Sequence, residues 1–576
     1  MRILLLTHAY NGLTQRIHTE LAAAGHEMSI EFDISDSVTE EAVALFRPQL
    51  IVAPYLRRAI PESVWRRHVC LIVHPGIVGD RGPSALDWVV QEGAELHPDW
   101  GVTVLQAEAE MDAGPIWASE TFAMRPGRKS SLYRHEVAAA AVRAVSTAVA
   151  RFAAGGFVPV PPAQAGGTGR QRPPMRQADR AIDWRRDDAA TVLRKLDAAD
   201  GHPGVAGRLF GEPCQLYDGR AETGIAGGAP GEPIGRRETA LLVATVDGAV
   251  WIGHVRREPS SRNQIPAIKL PATLAFAERV GALPELPLAD CWAKPGTWQD
   301  IAYEETGDVG TLRFEFYNGA MSTGQCRRLQ AACLWAARRP TRVLVLAGGA
   351  DFWSNGIHLN VIEAAASPAD ESWRNIEAID DLAETLIRMD SKLTVAALGG
   401  NAGAGGAYLA RAADLVWVRD GVLLNPHYKN MGNLYGSEYW TYLLPPRVGL
   451  DAARAIMNNR LPLSAAAALA CGLTDARLAG EPEAFGRELG RRARELAAAD
   501  DHGRRLEAKR ARRASDEAAK PLAQYRAEEL AHMKRNFYGF DPSYHVARYH
   551  FVNKSPASWT PRHLARHRDL GWRVPA

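Results

Sequence analysis

The chain has 576 residues, 46% of them hydrophobic and 23% charged, a balance that excludes wholesale disorder and, at ~100 to 200 residues per domain, implies about three to five domains. Lys and Arg number 68 against 66 Asp and Glu, a formal charge of +2, so no global field draws the chain to nucleic acid or an anionic membrane, and neither is expected as a partner. Six scattered cysteines (Cys70, Cys214, Cys291, Cys326, Cys333, Cys471) form no C-x-x-C pair, which argues against a disulfide framework or zinc site and for a reducing cytoplasm.

From the first residue the pattern alternates. Strands are expected at Ile3 to Thr7, Met28 to Phe32, Leu50 to Ala53 and Cys70 to His74, with helices at Thr14 to Ala24 and Thr39 to Phe46. That is the signature of a Rossmann-like, doubly wound parallel sheet in the α/β class, whose ligands bind beyond the carboxyl ends of the strands. The opening Met1-Arg-Ile-Leu-Leu-Leu run is too short for a leader and reads as a buried strand. The Ala-rich stretch from Val137 to Gly155 contains Arg143 and Arg151 and is shorter than the ~20 apolar residues a membrane span needs. It is expected to be a helix of a soluble domain.

The Pro/Gly-rich stretch from Val158 to Pro174 reads as a linker that closes the first domain. A helix at Ala190 to Leu196 and short strands at Leu241 to Thr245 and Val250 to His254 then imply a small β-rich, OB-like module. A second α/β pattern begins past Trp298, with strands at Val309 to Tyr317, Val343 to Ala347 and Leu415 to Val418 and a glycine-rich turn at Gly399 to Gly406. Beyond residue 485 the chain turns helical, with a basic run at Arg504 to Arg513, expected to be solvated, and an aromatic tail containing Tyr544, Tyr549 and Phe551. The expected units are 1–165, 175–290, 300–485 and a helical extension, 486–576.

The segment Leu71-Ile-Val-His74-Pro-Gly-Ile-Val-Gly-Asp-Arg-Gly-Pro-Ser84 puts a histidine at a strand end and follows it with a loop that lets backbone approach a ligand closely. Asp112 follows in a turn after another strand. A His and an Asp at one sheet edge suit proton transfer, because the carboxylate orients the imidazole. A hydrogen-bonded structural histidine and a turn-forming aspartate are the competing reading. In order and context these motifs resemble the 10-formyltetrahydrofolate-dependent formyltransferases over residues 1–280. That resemblance implies a formyl-transfer role for His74 and Asp112, while the family's asparagine is replaced by Ile72. Arg81 and Ser84 in the loop, and Gln15 on the first helix, are expected to line the ligand site.

Further along, the turn Ser354-Asn355-Gly356 and the glycine-rich turn ending at Gly405-Gly-Ala-Tyr408 can aim two backbone N–H groups at one carbonyl oxygen, an oxyanion hole. Residues 300–480 thereby resemble the crotonase (enoyl-CoA hydratase/isomerase) superfamily, which implies a CoA thioester ligand and donors at Asn355 and Gly405, with Gly356 and Tyr408 beside them. The two hydratase glutamates align with Tyr408 and Tyr428, so ordinary hydration is disfavoured. Tyr428 and the nearby Glu438 offer a phenol and a displaced carboxyl instead, against the competing reading of an aromatic wall and a helix-start residue.

A formyltransferase-like half fused to a crotonase-like half resembles the hydrogenase maturation factors HypX/HoxX over essentially the whole chain. That resemblance implies carbon monoxide synthesis for [NiFe]-hydrogenase, by formyl transfer from 10-formyltetrahydrofolate to coenzyme A and decarbonylation of formyl-CoA, with no metal. Tyr428 and Glu438 would carry the second step, a carboxylate base with a phenolic donor being the cheaper assignment at neutral pH. Hydrogenase maturation proteins are the implied protein partners. Two alternatives stand beside it: a folate-dependent CoA formyltransferase or hydrolase with a separate acyl-CoA activity, and a non-catalytic hydrogenase assembly factor.

Overall fold

In the computed structural model, residues 1–259 and 267–569 are described. The first sheet comprises β1 (Arg2–Thr7), β2 (Glu27–Phe32), β3 (Leu50–Tyr55), β4 (Cys70–His74), β5 (Asp99–Gln106) and β6 (Ile116–Ala123), in the order β2-β1-β3-β4-β5-β6. Ile3, Leu4, Leu5 and Leu6 are all buried because helices cover both faces, as a central parallel strand requires. Among those helices are α1 (Gly12–Ala23), α2 (Asp36–Phe46), α3 (Ala85–Glu92) and α4 (Ala138–Ala154). The four strands expected to run parallel, β1 to β4, do so, while at one edge β4–β5 and β5–β6 pair antiparallel. The connection from β5 to β6 holds no crossover helix, and a parallel return needs a dozen or more residues.

The helical run Lys129–Ala154 is long and apolar enough by composition to cross a membrane. It packs on β5 and β6, with Ala138, Ala141, Ala144, Val145 and Ala148 buried against that sheet.

The stretch expected to be a linker is instead a strap on the first sheet's loops. Val160 exchanges both backbone hydrogen bonds with Ile116, Gly169 N–H donates to Val78 O, and Arg172 N–H donates to Arg81 O. A Cβ on Gly167 would overlap the Val78 carbonyl and one on Gly169 the Asp80 amide. Its glycines therefore permit close approach of two backbones rather than freedom.

After α5 (Ala189–Ala199), an antiparallel sheet follows in the order β7-β8-β11-β10-β9, built from β7 (Val205–Leu209), β8 (Glu212–Glu222), β9 (Pro233–Arg237), β10 (Ala240–Ala244) and β11 (Ala249–Arg257), with the short β12 (Leu270–Pro271) also paired to β11. The third sheet runs β13-β14-β15-β17-β19-β22 and has a four-stranded companion, β16-β18-β20-β21. Its first strands, β13 (Ile301–Thr306) and β14 (Val309–Phe314), form a hairpin turning at Gly307, φ +58°. The strand expected to reach Tyr317 stops at Phe314, because Asn318 and Gly319 both take positive φ and close a short turn. The remaining strands of this region, β15 (Val343–Gly348), β16 (Phe352–Ser354), β17 (Leu393–Leu398), β18 (Asn401–Gly403), β19 (Leu415–Arg419), β20 (Leu423–Asn425), β21 (Leu463–Ser464) and β22 (Ala476–Leu478), are joined by α6 (Thr323–Ala337), α7 (Pro368–Arg388) and α8 (Gly405–Arg411) among others. The third region's core packs Leu329 and Cys333 of α6 with Ile379, Leu382 and Leu386 of α7.

The C-terminal helices are α9 (Pro482–Ala498), α10 (His502–Ala519), α11 (Leu522–Tyr538) and α12 (Ser543–Val552). The basic run on α10 is not wholly solvated: Lys509 is buried, with its ammonium 2.7 Å from Asp414 Oδ2. The chain then returns to its own beginning. Glu31 on β2, fully buried, accepts hydrogen bonds from His567 Nε2 at 2.9 Å, Arg568 Nε at 2.8 Å and the Thr560 hydroxyl.

Burial pushes the Glu31 carboxyl upward, but hydrogen bonds from His567, Thr560 and Arg568 outweigh it and hold the group below the usual range. Its stabilisation is therefore present at neutral pH and lost as pH falls through the carboxylate range. Glu31→Ala is expected to cost about 3 to 5 kcal/mol at pH 7, the scale for breaking a buried ion pair. Denaturant midpoints should show that gap narrowing at about pH 4; a pH-independent gap contradicts the assignment.

Candidate functional site

Two centres emerge, one at the carboxyl end of the first sheet and one where the third sheet meets its companion. At the first, His74 ends β4 and its side chain is only 5% exposed. Asp112 Oδ2 lies 3.6 Å from His74 Nδ1, and Asp80 Oδ1 lies 3.3 Å from Nε2. Asp112 sits in the left-handed region, φ +54°, and accepts the Gly82 N–H at 3.1 Å. A Cβ at Gly76 would overlap the His74 imidazole, so only glycine lets the loop fold back over the ring.

The expected pair is thus brought together, with a partner that sequence reasoning missed. Asp80 is buried, and its second oxygen accepts Arg172 Nε at 2.9 Å. Arg172, from the strap, also lies 3.3 Å from Glu92 and stacks over Trp100. Asp80 stood in the same loop as His74 and was available as a signal; Arg172, inside a Pro/Gly stretch, was not. An imidazole facing a carboxylate at each nitrogen is fixed in orientation and equipped for proton transfer. Ile72 packs beside an apolar cluster with Leu4, Ile51 and Ala53 and contributes no amide.

Arg81 is tied to Glu110 Oε1 at 2.6 Å, and Ser84 Oγ accepts the Met175 N–H at 3.0 Å. Arg81 thus ties the loop to the β5–β6 connection, and Ser84 ties it to the residue that follows the strap. Gln15 instead reaches across the molecule: its Oε1 accepts Asn425 Nδ2 of β20 at 3.3 Å, and its Nε2 donates to Tyr10 O. It therefore stands where the first and third regions meet.

At the second centre the turn of Gly356 abuts that of Gly405, a Cβ on Gly356 lying 3.3 Å from Gly405 N. The expectation that Asn355 supplies an oxyanion donor is corrected: its N–H donates to Gly319 O at 2.7 Å, and its side-chain amide to Asn318 O. The Gly356 N–H turns to Ser354 Oγ. Among the described residues the Ile357 and Gly405 N–H groups have no acceptor, which moves the candidate donor two residues along the same turn.

Glu438 Oε2 accepts the Tyr428 hydroxyl at 2.5 Å, and both residues are buried. The Glu438 carboxyl lies against Gly405, where any Cβ would overlap it. Burial, then the neighbouring Asp380, pushes the Glu438 carboxyl up to about 8, which favours its protonated form. Tyr408 was expected to touch ligand. It stacks on Tyr428 at 5.9 Å between centroids, and its hydroxyl donates to Pro426 O at 2.8 Å.

Because the folded Glu438 carboxyl titrates well above the unfolded one, this group's stabilisation is full below about pH 4 and lost as pH rises through about 8. Glu438→Gln lacks that loss. Its stability relative to wild type is expected to improve by a few kcal/mol, in order of magnitude, between about pH 5 and pH 9 in urea unfolding. A constant difference across that range contradicts the burial of a neutral acid.

The chain resembles known proteins along its whole length. The family model for enoyl-CoA hydratase/isomerase matches residues 329–562, and that for the formyl transferase C-terminal domain matches residues 174–268. The hydrogenase maturation factor HoxX of Bradyrhizobium diazoefficiens is 54% identical over 569 residues, covering 99% of this chain and 97% of that protein. The crystal structure of HypX from Aquifex aeolicus in complex with tetrahydrofolic acid superposes with a TM-score of 0.95 at 45% identity, covering 100% of each chain. A methionyl-tRNA formyltransferase of Burkholderia pseudomallei strain 668 is 26% identical over 233 residues, covering 40% of this chain and 69% of that protein.

Proposed function

Because the chain belongs to the HypX/HoxX family of hydrogenase maturation factors, we propose that it makes carbon monoxide from a formyl group in two steps, one at each centre. At the first, 10-formyltetrahydrofolate gives its formyl group to the thiol of coenzyme A. The tetrahydrofolate bound to the Aquifex aeolicus relative supports the donor, and the crotonase-like region supports the thioester. His74, held between Asp80 and Asp112, takes the thiol proton as sulfur attacks the formyl carbon and returns it to the folate nitrogen as the C–N bond breaks.

At the second centre the formyl thioester places its oxygen at the Ile357 and Gly405 amides, each such donor being worth about 3 to 4 kcal/mol in a dry site. Glu438, hydrogen-bonded to Tyr428, gives its carboxyl proton to sulfur while its other oxygen takes the formyl proton, so the acid ends in the state in which it began. The C–S bond breaks with its electrons passing to sulfur, and carbon leaves as CO. The thiol is regenerated and no electrons are gained or lost overall, so the sum of both steps is a formyl-folate giving tetrahydrofolate and CO. The carbon monoxide serves as a ligand for [NiFe]-hydrogenase, whose maturation proteins are the expected recipients.

The observation that carries this reading is the buried carboxyl and phenol in contact at 2.5 Å beside Gly405, with tyrosines where hydration would require carboxylates. Protein supplied with 10-formyltetrahydrofolate and coenzyme A should evolve CO, detected in the headspace as carboxyhaemoglobin. Formate as the sole one-carbon product points to hydrolysis instead. With synthetic formyl-CoA, Glu438→Gln and Tyr428→Phe should release CO ~100-fold to 10,000-fold more slowly. His74→Ala should lose folate consumption but keep that release. Wild-type CO release in both second-centre variants overturns the assignment.

A further inference from the structure

The seven residues leading to Tyr439 are an unusual piece of backbone. Asn433, Gly436, Glu438 and Tyr439 all take positive φ, and the last two, at +57° and +60°, are consecutive non-glycine residues in the left-handed region. Such a conformation persists only where surroundings over-determine it. Here they do so almost atom by atom, and the restraining groups come from two helices.

From α11, Asn536 Oδ1 accepts the Tyr435 N–H at 3.1 Å, Met533 Sδ accepts the Gly436 N–H at 3.2 Å, and His532 stacks on the Tyr435 ring at 4.0 Å. Glu529 accepts the Tyr439 N–H at 3.0 Å through one oxygen and the Thr441 N–H at 2.8 Å through the other. Positions 529, 532, 533 and 536 share one face of a helix by their spacing. From α7, Asp380 accepts the Glu438 N–H at 2.9 Å and the Ser437 hydroxyl at 2.6 Å. Asp380 and Glu529 are fully buried, and neither touches the groups proposed to react.

Building on the reading of Glu438 as an acid/base of the second centre, we propose that Asp380 and Glu529 are positioning residues. They hold the Glu438 backbone left-handed so that its carboxyl meets Tyr428 over Gly405, and the charge of Asp380, hydrogen-bonded to the Glu438 N–H, is coupled to that carboxyl. The C-terminal helical extension is then part of the second centre, its α11 face forming one wall of the clamp.

The charges support the second half of this. Glu438 faces Asp380 from α7, Glu529 from α11, Tyr408 from α8, Cys326 from α6 and Tyr428. Arg526 reaches only to 4.0 Å from Asp380, while its nearest carboxylate is Asp381 at 2.6 Å. Asp380 and Glu529 each receive hydrogen bonds from backbone and hydroxyl donors, whereas Glu438 has the Tyr428 hydroxyl, itself able to accept. Burial and mutual repulsion raise the carboxyls of Asp380, Glu438 and Glu529 alike, so the three titrate as one coupled cluster.

Two isosteric variants test this in the full-length protein. The first readout is the protonated-carboxyl band in infrared difference spectra, assigned to Glu438 by its disappearance in Glu438→Gln. In Asp380→Asn its titration midpoint should fall by about one pH unit or more, and the pH profile of CO release from formyl-CoA should move with it. Glu529→Gln cannot accept both amides, and CO release should drop ~100-fold, the scale for a carboxyl displaced by about 1 Å. Formyl transfer at the His74 centre should stay at the wild-type rate in both variants, which reports an intact fold. An unmoved midpoint in Asp380→Asn overturns the charge coupling, and wild-type CO release in Glu529→Gln overturns the clamp. The infrared titration needs no turnover, so a wild type that evolves no CO counts against the proposed reaction and leaves the charge coupling measurable.

Discussion

One guanidinium joins the three sheet-bearing parts of the molecule. Arg128, from the segment before α4, places one nitrogen 3.0 Å from Asp218 on β8 and another 2.6 Å from Glu315 just past β14. Asp218 is buried, and although burial opposes its ionisation, His254, Arg220 and Arg128 hold its carboxyl far below the usual range. The neighbouring Arg134 and His135 lie 3.0 and 3.3 Å from Asp351, in the turn that leads to Gly356. Desolvation offsets much of what such buried pairs contribute to stability, so their clearest physical effect is to specify how the parts meet. The proposed two-step reaction needs that constraint. A formyl thioester made at one centre and used at another is protected only if the path between them has fixed geometry, and a fixed path gives the second step a high effective concentration.

The sequence disclosed the centres better than their supports. His74, Asp112, Tyr428 and Glu438 were legible because each is a reactive residue type at a strand end or next to a glycine-rich turn. Gly405 was legible because a glycine there precedes a helix, and the structure gives its reason: the Glu438 carboxyl occupies the space of a Cβ. Asn355 misled because residue type and position in a turn do not tell which amide is already bonded; that depends on Gly319, thirty-six residues earlier in the chain. Arg172 and Glu529 were hidden for a related reason. Each acts through a contact distant in sequence, with Asp80 and with Tyr439, and each lay in a stretch read only as a linker or as a helical extension.

The antiparallel edge of the first sheet and the return of residues 560–568 to β2 escaped for the same cause. Strand existence follows from local hydrophobic runs, whereas strand direction and tail docking follow from where the chain goes next. Glu31 shows how little local evidence there can be. Nothing in the Glu-Met-Ser-Ile-Glu-Phe sequence of β2 marks Glu31 as buried, and its partners Thr560, His567 and Arg568 lie over five hundred residues away.

The two tyrosines at the second centre have a consequence beyond replacing carboxylates. Tyr408 and Tyr428 stack with an interplanar angle of 12°, both are buried, and the Tyr408 hydroxyl is bonded to Pro426 O. Stacked rings offer a face that binds water poorly, and a neutral Glu438 beside them attracts less water than a carboxylate would. A formyl thioester is open to attack by water at the very carbon that must depart as CO, so excluding water selects decarbonylation over hydrolysis without any change in the oxyanion donors. The same dryness raises the affinity of Glu438 for its proton and strengthens its short contact with Tyr428. Burial that would be a defect in a hydratase, where a carboxylate must activate water, is thus what the proposed reaction requires: an acid/base pair that exchanges a proton with the substrate alone.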